Sequence, residues 1–161
     1  MNLTKIALST LLVSTLAGNV VAEELAQCPS KDMITEHQEQ EGYSYTAPGP
    51  HGRIWVGENP FGSAGDQETF QFTGALYRDI SSEGNRDVVS CDYEGEDWFA
   101  FARMTLYSFL DWKPAPKTQW KADANKTGAY KKAKAVQFCV SSTQEDCAFN
   151  YRELSKHAAT Q

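Results

Sequence analysis

Asp92, Glu94 and Glu96 alternate after Cys91 and are joined by Asp97, so on a β-strand three carboxylates would line one face. Such a row could bind calcium or supply an acid/base pair. The EF-hand order is absent, and Gly95 marks a turn, so the plainer reading is a group of like charges on a solvated turn. A glycan-active enzyme built on these acids would need two carboxyls held about 5 to 9.5 Å apart across a cleft, which the spacing alone does not imply. His37, His51 and His157 have no paired-ligand spacing and read as isolated surface residues. Ser63, in Gly62-Ser63-Ala64-Gly65, lacks both the G-x-S-x-G order and the strand-to-helix context of a nucleophile elbow, and reads as part of a loop. No catalytic residue, metal site or cofactor is expected.

The four cysteines carry the other chemistry, and their compartment decides what it is. Residues 1–22 have the form of a secretory signal peptide: Lys5, an apolar run from Ile6 to Leu16, and small residues ending at Val20-Val21-Ala22, followed by Glu23-Glu24. The run is too short to span a bilayer, and no later segment approaches the roughly 20 apolar residues a spanning helix needs. Leu25-Ala26-Gln27-Cys28 resembles a lipid-attachment box, but Gln27 stands where a small residue belongs and the gap from Leu16 is too long. The expected product is an exported chain, periplasmic or secreted, whose single compact domain occupies residues 23–161.

Oxidising compartments favour disulfides. Four cysteines permit three pairings. Cys139 and Cys147 fall on two strands expected to form a terminal hairpin, which leaves Cys28 to pair with Cys91 and to close a loop of about sixty residues, worth on the order of 4 kcal/mol. Neither a C-x-x-C motif nor a zinc-ligand spacing occurs.

Without the leader the chain has 14 basic and 21 acidic residues, a net charge of −7, which speaks against nucleic acid as a partner. The charge is unevenly spread. From Trp112 to Lys134 there are seven lysines and one acid, a local net of +6, which leaves −13 for the rest. A solvated loop is the ordinary account of such a stretch. The functional account is a patch of Trp112, Lys117, Trp120, Lys121, Lys131 and Lys132 for an unknown protein or an anionic component of the cell envelope. Trp55 and Trp98, in or beside strands, are expected as buried anchors.

The elements that must position these residues are strands. Tyr43 to Thr46 and Arg53 to Val56 alternate around Pro48-Gly49-Pro50 as a hairpin, and residues 61–66 form a loop. Thr69 to Arg78 reads as a strand in which Gly74 marks a bulge or close approach. Ser81 to Asn85 turns into the strand Asp87 to Tyr93. Phe99 to Phe109 is expected to be the longest strand, central because both its faces are apolar. Ala135 to Val140 and Cys147 to Arg152 close the domain, with a helical period only at Tyr151 to Ala159. Seven or eight short strands define an all-β fold, a small disulfide-tied antiparallel barrel or sandwich.

Cys28-Pro29, Tyr45-Thr46-Ala47-Pro48, Gly52-Arg53-Ile54-Trp55, Gly57-Glu58-Asn59, Phe72-Thr73-Gly74-Ala75 and Cys91-Asp92-Tyr93-Glu94-Gly95 together resemble a bacterial family of small exported proteins labelled domain of unknown function 3757. The resemblance covers most of the chain beyond the leader. It implies export and a compact domain, and supplies no activity. The function classes that fit are a non-catalytic binding module, an inhibitor or immunity protein against a secreted hydrolase, and, less well, the carboxylate enzyme.

Overall fold

The computed structural model describes residues 22–80, 87–124 and 130–154. The leader, except for Ala22, the turn from Ser81 to Asn85, His157 and most of the tail from Tyr151 to Ala159 lie outside the described residues. Thirteen strands occur among the described residues. Eight of them form one antiparallel sheet. In spatial order these are β10 (Lys121–Ala122), β11 (Val136–Val140), β5 (Gln71–Arg78), β6 (Val88–Glu94), β7 (Phe101–Leu106), β4 (Ile54–Asn59), β3 (Tyr43–Pro48) and β2 (Thr35–Gln38).

A second sheet, of β1 (Glu24–Ala26), β12 (Phe149–Tyr151) and β9 (Lys113–Pro114), covers the inner face of the first, and β8 (Phe109–Leu110) pairs with β13 (Glu153–Leu154). Among the described residues the fold is all-β and sandwich-like, with no closed barrel. Strand β7 is central, as expected, between β4 and β6.

Alternation explains which residues enter the core. Strand β4 buries Trp55, Gly57 and Asn59 and exposes Ile54, Val56 and Glu58. Its neighbour β7 buries Ala102, Met104 and Leu106. In β5 the register shifts between Phe72 and Gly74, so the buried set passes from Phe72 to Ala75 and Tyr77. Gly74 is required there because a Cβ atom would stand 2.5 Å from the carbonyl oxygen of Cys139 on β11. The inner faces meet through aromatic rings. Phe109 lies edge-on to Phe149 at 4.9 Å and beside Trp55 at 6.1 Å, and Tyr77 stacks on Trp112 at 3.8 Å. Contacts of this kind contribute about 0.5 to 1.5 kcal/mol each beyond the area they bury.

Two expectations need correction. The run from Phe99 to Phe109 is not one strand, because Ser108 adopts φ 74° and redirects the chain between β7 and β8. That reversal sends Phe109 fully into the core while Phe99 and Phe101, assigned to the same face by simple alternation, remain in solvent. The strands around Cys139 and Cys147 do not form a hairpin either. Strand β11 pairs with β5 and β10, whereas β12 pairs with β1 and β9. Strands β1 and β2, for which the sequence offers no signal, form although their residues, Glu-Leu-Ala and Thr-Glu-His-Gln, have little β propensity of their own.

Disulfides join Cys28 to Cys91 and Cys139 to Cys147, with Cα separations of 5.8 and 5.7 Å. Cys91 and Cys139 lie on β6 and β11 of the large sheet. Their partners lie beside the paired strands β1 and β12 of the small one, so each bridge bolts one sheet to the other.

Strand β1 is also held by charge. Glu24 accepts a hydrogen bond from the Tyr151 hydroxyl at 2.9 Å and lies 2.7 Å from Nε2 of His51, while Glu23 pairs with Lys113. The Tyr151 hydrogen bond, followed by that of His51, lowers the Glu24 pKa below the ordinary 4.5. A carboxylate whose pKa is depressed by folding adds stability above its unfolded pKa and loses it as pH falls through the folded value. Glu24→Gln is therefore expected to lower Tm at pH 7, with the gap to the parent closing below about pH 4. Thermal unfolding followed from pH 2 to 7 checks this, and a gap that stays constant would contradict it.

Candidate functional site

The exposed end of β4, β6 and β7 carries a surface that composition alone does not reveal. Strand β4 ends at Asn59, whose side chain is 0% exposed. A buried amide must find partners, and Asn59 finds three. Its Nδ2 donates to the carbonyl oxygens of Phe99 at 2.6 Å and Phe101 at 3.0 Å, and its Oδ1 accepts from the Phe61 N–H at 3.0 Å. One side chain thus fixes two loops against each other.

The rest of the frame is polar and local. Asp66, buried at the start of a short helix α1 (Asp66–Thr69), accepts the Ser63 N–H at 2.8 Å. Thr69 Oγ1 donates to the Asp66 carbonyl and accepts from the Glu96 N–H. The Gly95 N–H donates to the Ala100 carbonyl at 2.6 Å, closing the turn between β6 and β7. Gly95 is tightly enclosed: a Cβ atom there would lie 2.4 Å from Thr69 Oγ1. Beneath, Tyr45 packs on Phe70 at 5.2 Å, and burial, aided by the charges of Asp66 and Glu36, pushes its hydroxyl pKa up to about 12. That phenol stays neutral at physiological pH.

On this frame stand four aromatic side chains that face water. Trp98 is 91% exposed, Phe61 65% and Phe99 54%, and Phe101, also exposed, lines the same hollow as Trp98. The rings of Phe61 and Phe99 lie 5.8 Å apart, which makes one continuous ridge from two loops. A shallow hollow of about 640 Å³ lies alongside, lined by Glu94, Glu96, Asp97, Trp98 and Phe101 among others. A second, of about 500 Å³, adjoins Glu58 and Pro60 and takes in Glu39, Glu41 and Tyr43. Trp98, expected as a buried anchor, is thus the most exposed of the large apolar residues described. It sits at the tip of the turn rather than on the strand.

The carboxylate row is divided by the same geometry. Asp92 is held by Arg103 across the β6–β7 pair, with contacts of 2.6 and 2.8 Å to Nε and Nη2, and this hydrogen-bonded pair raises the Arg103 pKa further. Glu94, Glu96 and Asp97 remain exposed at the turn. His37 lies against Thr46 Oγ1 at 2.9 Å, and Ser63 lies in a loop. Among the described residues no group of three or more His, Cys, Asp or Glu is placed to hold a metal ion, and no helix is long and apolar enough to cross a membrane.

The lysine patch is only partly assembled. Lys117, Lys121, Lys131 and Lys132 are exposed. Trp112 is 8% exposed, however, stacked on Tyr77, and the edge of Trp120 meets it at 4.9 Å with Nε1 donating to the Ala148 carbonyl. The two tryptophans join the sheets and do not offer an aromatic face beside the lysines. The aromatic surface lies instead at the acidic turn. Asn59, Phe61 and Phe99 escaped sequence reasoning, although the order Glu94-Gly95-Glu96-Asp97-Trp98-Phe99 held a signal: acids immediately before an aromatic pair place that pair on a solvated turn.

Fold and surface together define a disulfide-tied, sandwich-like β domain that presents an aromatic face on hydrogen-bonded loops. The chain belongs to the family described as Protein of unknown function (DUF3757), which matches residues 21–150. No curated protein and no solved structure matches it.

Proposed function

We propose that this protein is an exported, non-catalytic interaction module that engages a partner protein through the face formed by Phe61, Trp98, Phe99 and Phe101. The observation that carries this reading is Asn59, a fully buried amide that ties together the backbones of the two loops bearing the exposed rings. Large apolar side chains standing together in water mark interaction sites, and loops whose backbones are already fixed lose little entropy on binding. Two disulfides are the chemistry of an oxidising, non-cytoplasmic compartment, and support export together with the leader-like residues 1–22. The two-point ion pair of Asp92 with Arg103 takes that carboxylate out of the acidic row, which favours binding over acid/base chemistry.

The test is site-specific photo-crosslinking in the exporting cell. A photoreactive residue at position 98 or 61 is expected to yield a discrete adduct with a single protein. Adducts from position 117 or 121 alone would move the binding face to the lysines and overturn the proposal.

A further inference from the structure

Charge decides what kind of partner the aromatic face fits. The two hollows, which take in the chain neighbours of Phe61 and Phe99, are lined by six carboxylates, Glu39, Glu41 and Glu58 in one and Glu94, Glu96 and Asp97 in the other, and by no lysine or arginine. The stretches that build the face, residues 54–70 and 94–102, contain no basic residue. The nearest cation along β7, Arg103, is already committed to Asp92. An acidic or neutral apolar segment would bring no charge to offset these carboxylates.

We infer that the face receives an arginine-bearing, extended segment of a partner protein, with an aliphatic anchor beside the arginines. This inference rests on the reading of the face as a binding surface. Arginine suits both halves of the site. Its planar guanidinium stacks on an aromatic face such as the exposed indole of Trp98 and forks onto carboxylates such as Glu96 and Asp97, whereas a lysine ammonium is a more strongly hydrated point charge. The aliphatic anchor would cover the Phe61 and Phe99 rings, which otherwise remain in water. The carboxylates are exposed, so their attraction is screened by salt, and together they add a modest, salt-dependent share of the affinity as well as selectivity.

The probes are the blocked pentapeptide Arg-Leu-Arg-Leu-Arg, its Lys and Glu counterparts, and a neutral tetrasaccharide of N-acetylglucosamine. Each is titrated into the oxidised exported protein while the indole N–H resonances are followed by NMR, that of Trp98 being assigned through Trp98→Phe. The Arg peptide is expected to shift the Trp98 resonance and to bind at least threefold tighter than the Lys peptide and tenfold tighter than the Glu peptide. Its affinity should fall at least fivefold between 50 and 500 mM salt, and tenfold in Glu96→Gln/Asp97→Asn.

Equal binding of the Arg and Glu peptides, with Trp98→Ala still abolishing both, would overturn the cationic partner and leave the aromatic face standing. Binding that Trp98→Ala leaves unchanged would overturn the face itself. A Trp98 shift with the tetrasaccharide alone would make the ligand a glycan. Self-association of the untreated protein that disappears in Trp98→Ala would make the occupant a second copy, and either result would overturn the inference.

Discussion

Replacing Asn59 by alanine is expected to cost about 3 kcal/mol of stability, with loss of partner binding. The amide makes three hydrogen bonds in a fully buried position, so truncation leaves the Phe99 and Phe101 carbonyls and the Phe61 N–H to find new partners. Each stranded group costs roughly 1 to 3 kcal/mol, reduced where a loop can open to water. Opening is what the binding face cannot tolerate, since Phe61 and Phe99 come from separate loops whose backbones are both tied to Asn59.

The control is Trp98→Ala. Trp98 is almost wholly exposed, so its loss should change stability by less than about 0.5 kcal/mol while still removing binding. Urea unfolding of both variants separates the roles. Asn59→Ala unfolding at the parent's midpoint would remove the framing role assigned to the amide.

The second large effect concerns the bridges. Removing Cys28–Cys91 by a double alanine substitution is expected to cost about 4 kcal/mol, against about 2.5 kcal/mol for Cys139–Cys147, because the loop-closure entropy released to the unfolded chain grows with loop length. The separations are 63 and 8 residues. Both pairs of sulfurs are buried between the sheets, so alanine at these sites leaves small apolar gaps of similar size and the difference reports mainly on the loops. Equilibrium unfolding of the two double variants checks the order. A larger loss from the shorter loop would show that the bridges act chiefly through the folded state.

These two predictions draw on features of unequal visibility in the sequence. The strands around Tyr45, Trp55, Phe72 and Cys91 are legible because runs of β-branched and aromatic residues lie between turn residues, and the bulge because Gly74 interrupts its run. The all-β class follows from them. The orientation of the run from Phe99 to Phe109 is not legible, because both of its faces are apolar and pattern alone does not say which meets water. Ser108 at φ 74° then breaks the alternation without a glycine or proline to announce it.

Trp98 illustrates the same limit at the candidate site. Tryptophan beside a strand is ordinarily a core residue, and only its position on the Gly95 turn puts it outside. Trp112 is the converse case. Its lysine-rich neighbourhood resembles a surface, yet Tyr77 from β5 closes over it. Asn59 has the buried parity of its strand, but two of its three partners lie some 40 residues away, a long-range fact that no local pattern holds.

The division of labour between the two charged regions is the central claim, and a single affinity comparison tests it. The crosslinked partner is titrated against the parent protein, Trp98→Ala, and the quadruple variant Lys117→Ser, Lys121→Ser, Lys131→Ser, Lys132→Ser. Binding through the aromatic face requires at least a tenfold loss for Trp98→Ala and less than a twofold change for the quadruple variant. The reverse pattern, with Trp98→Ala unaffected and the lysine variant impaired, would contradict the account.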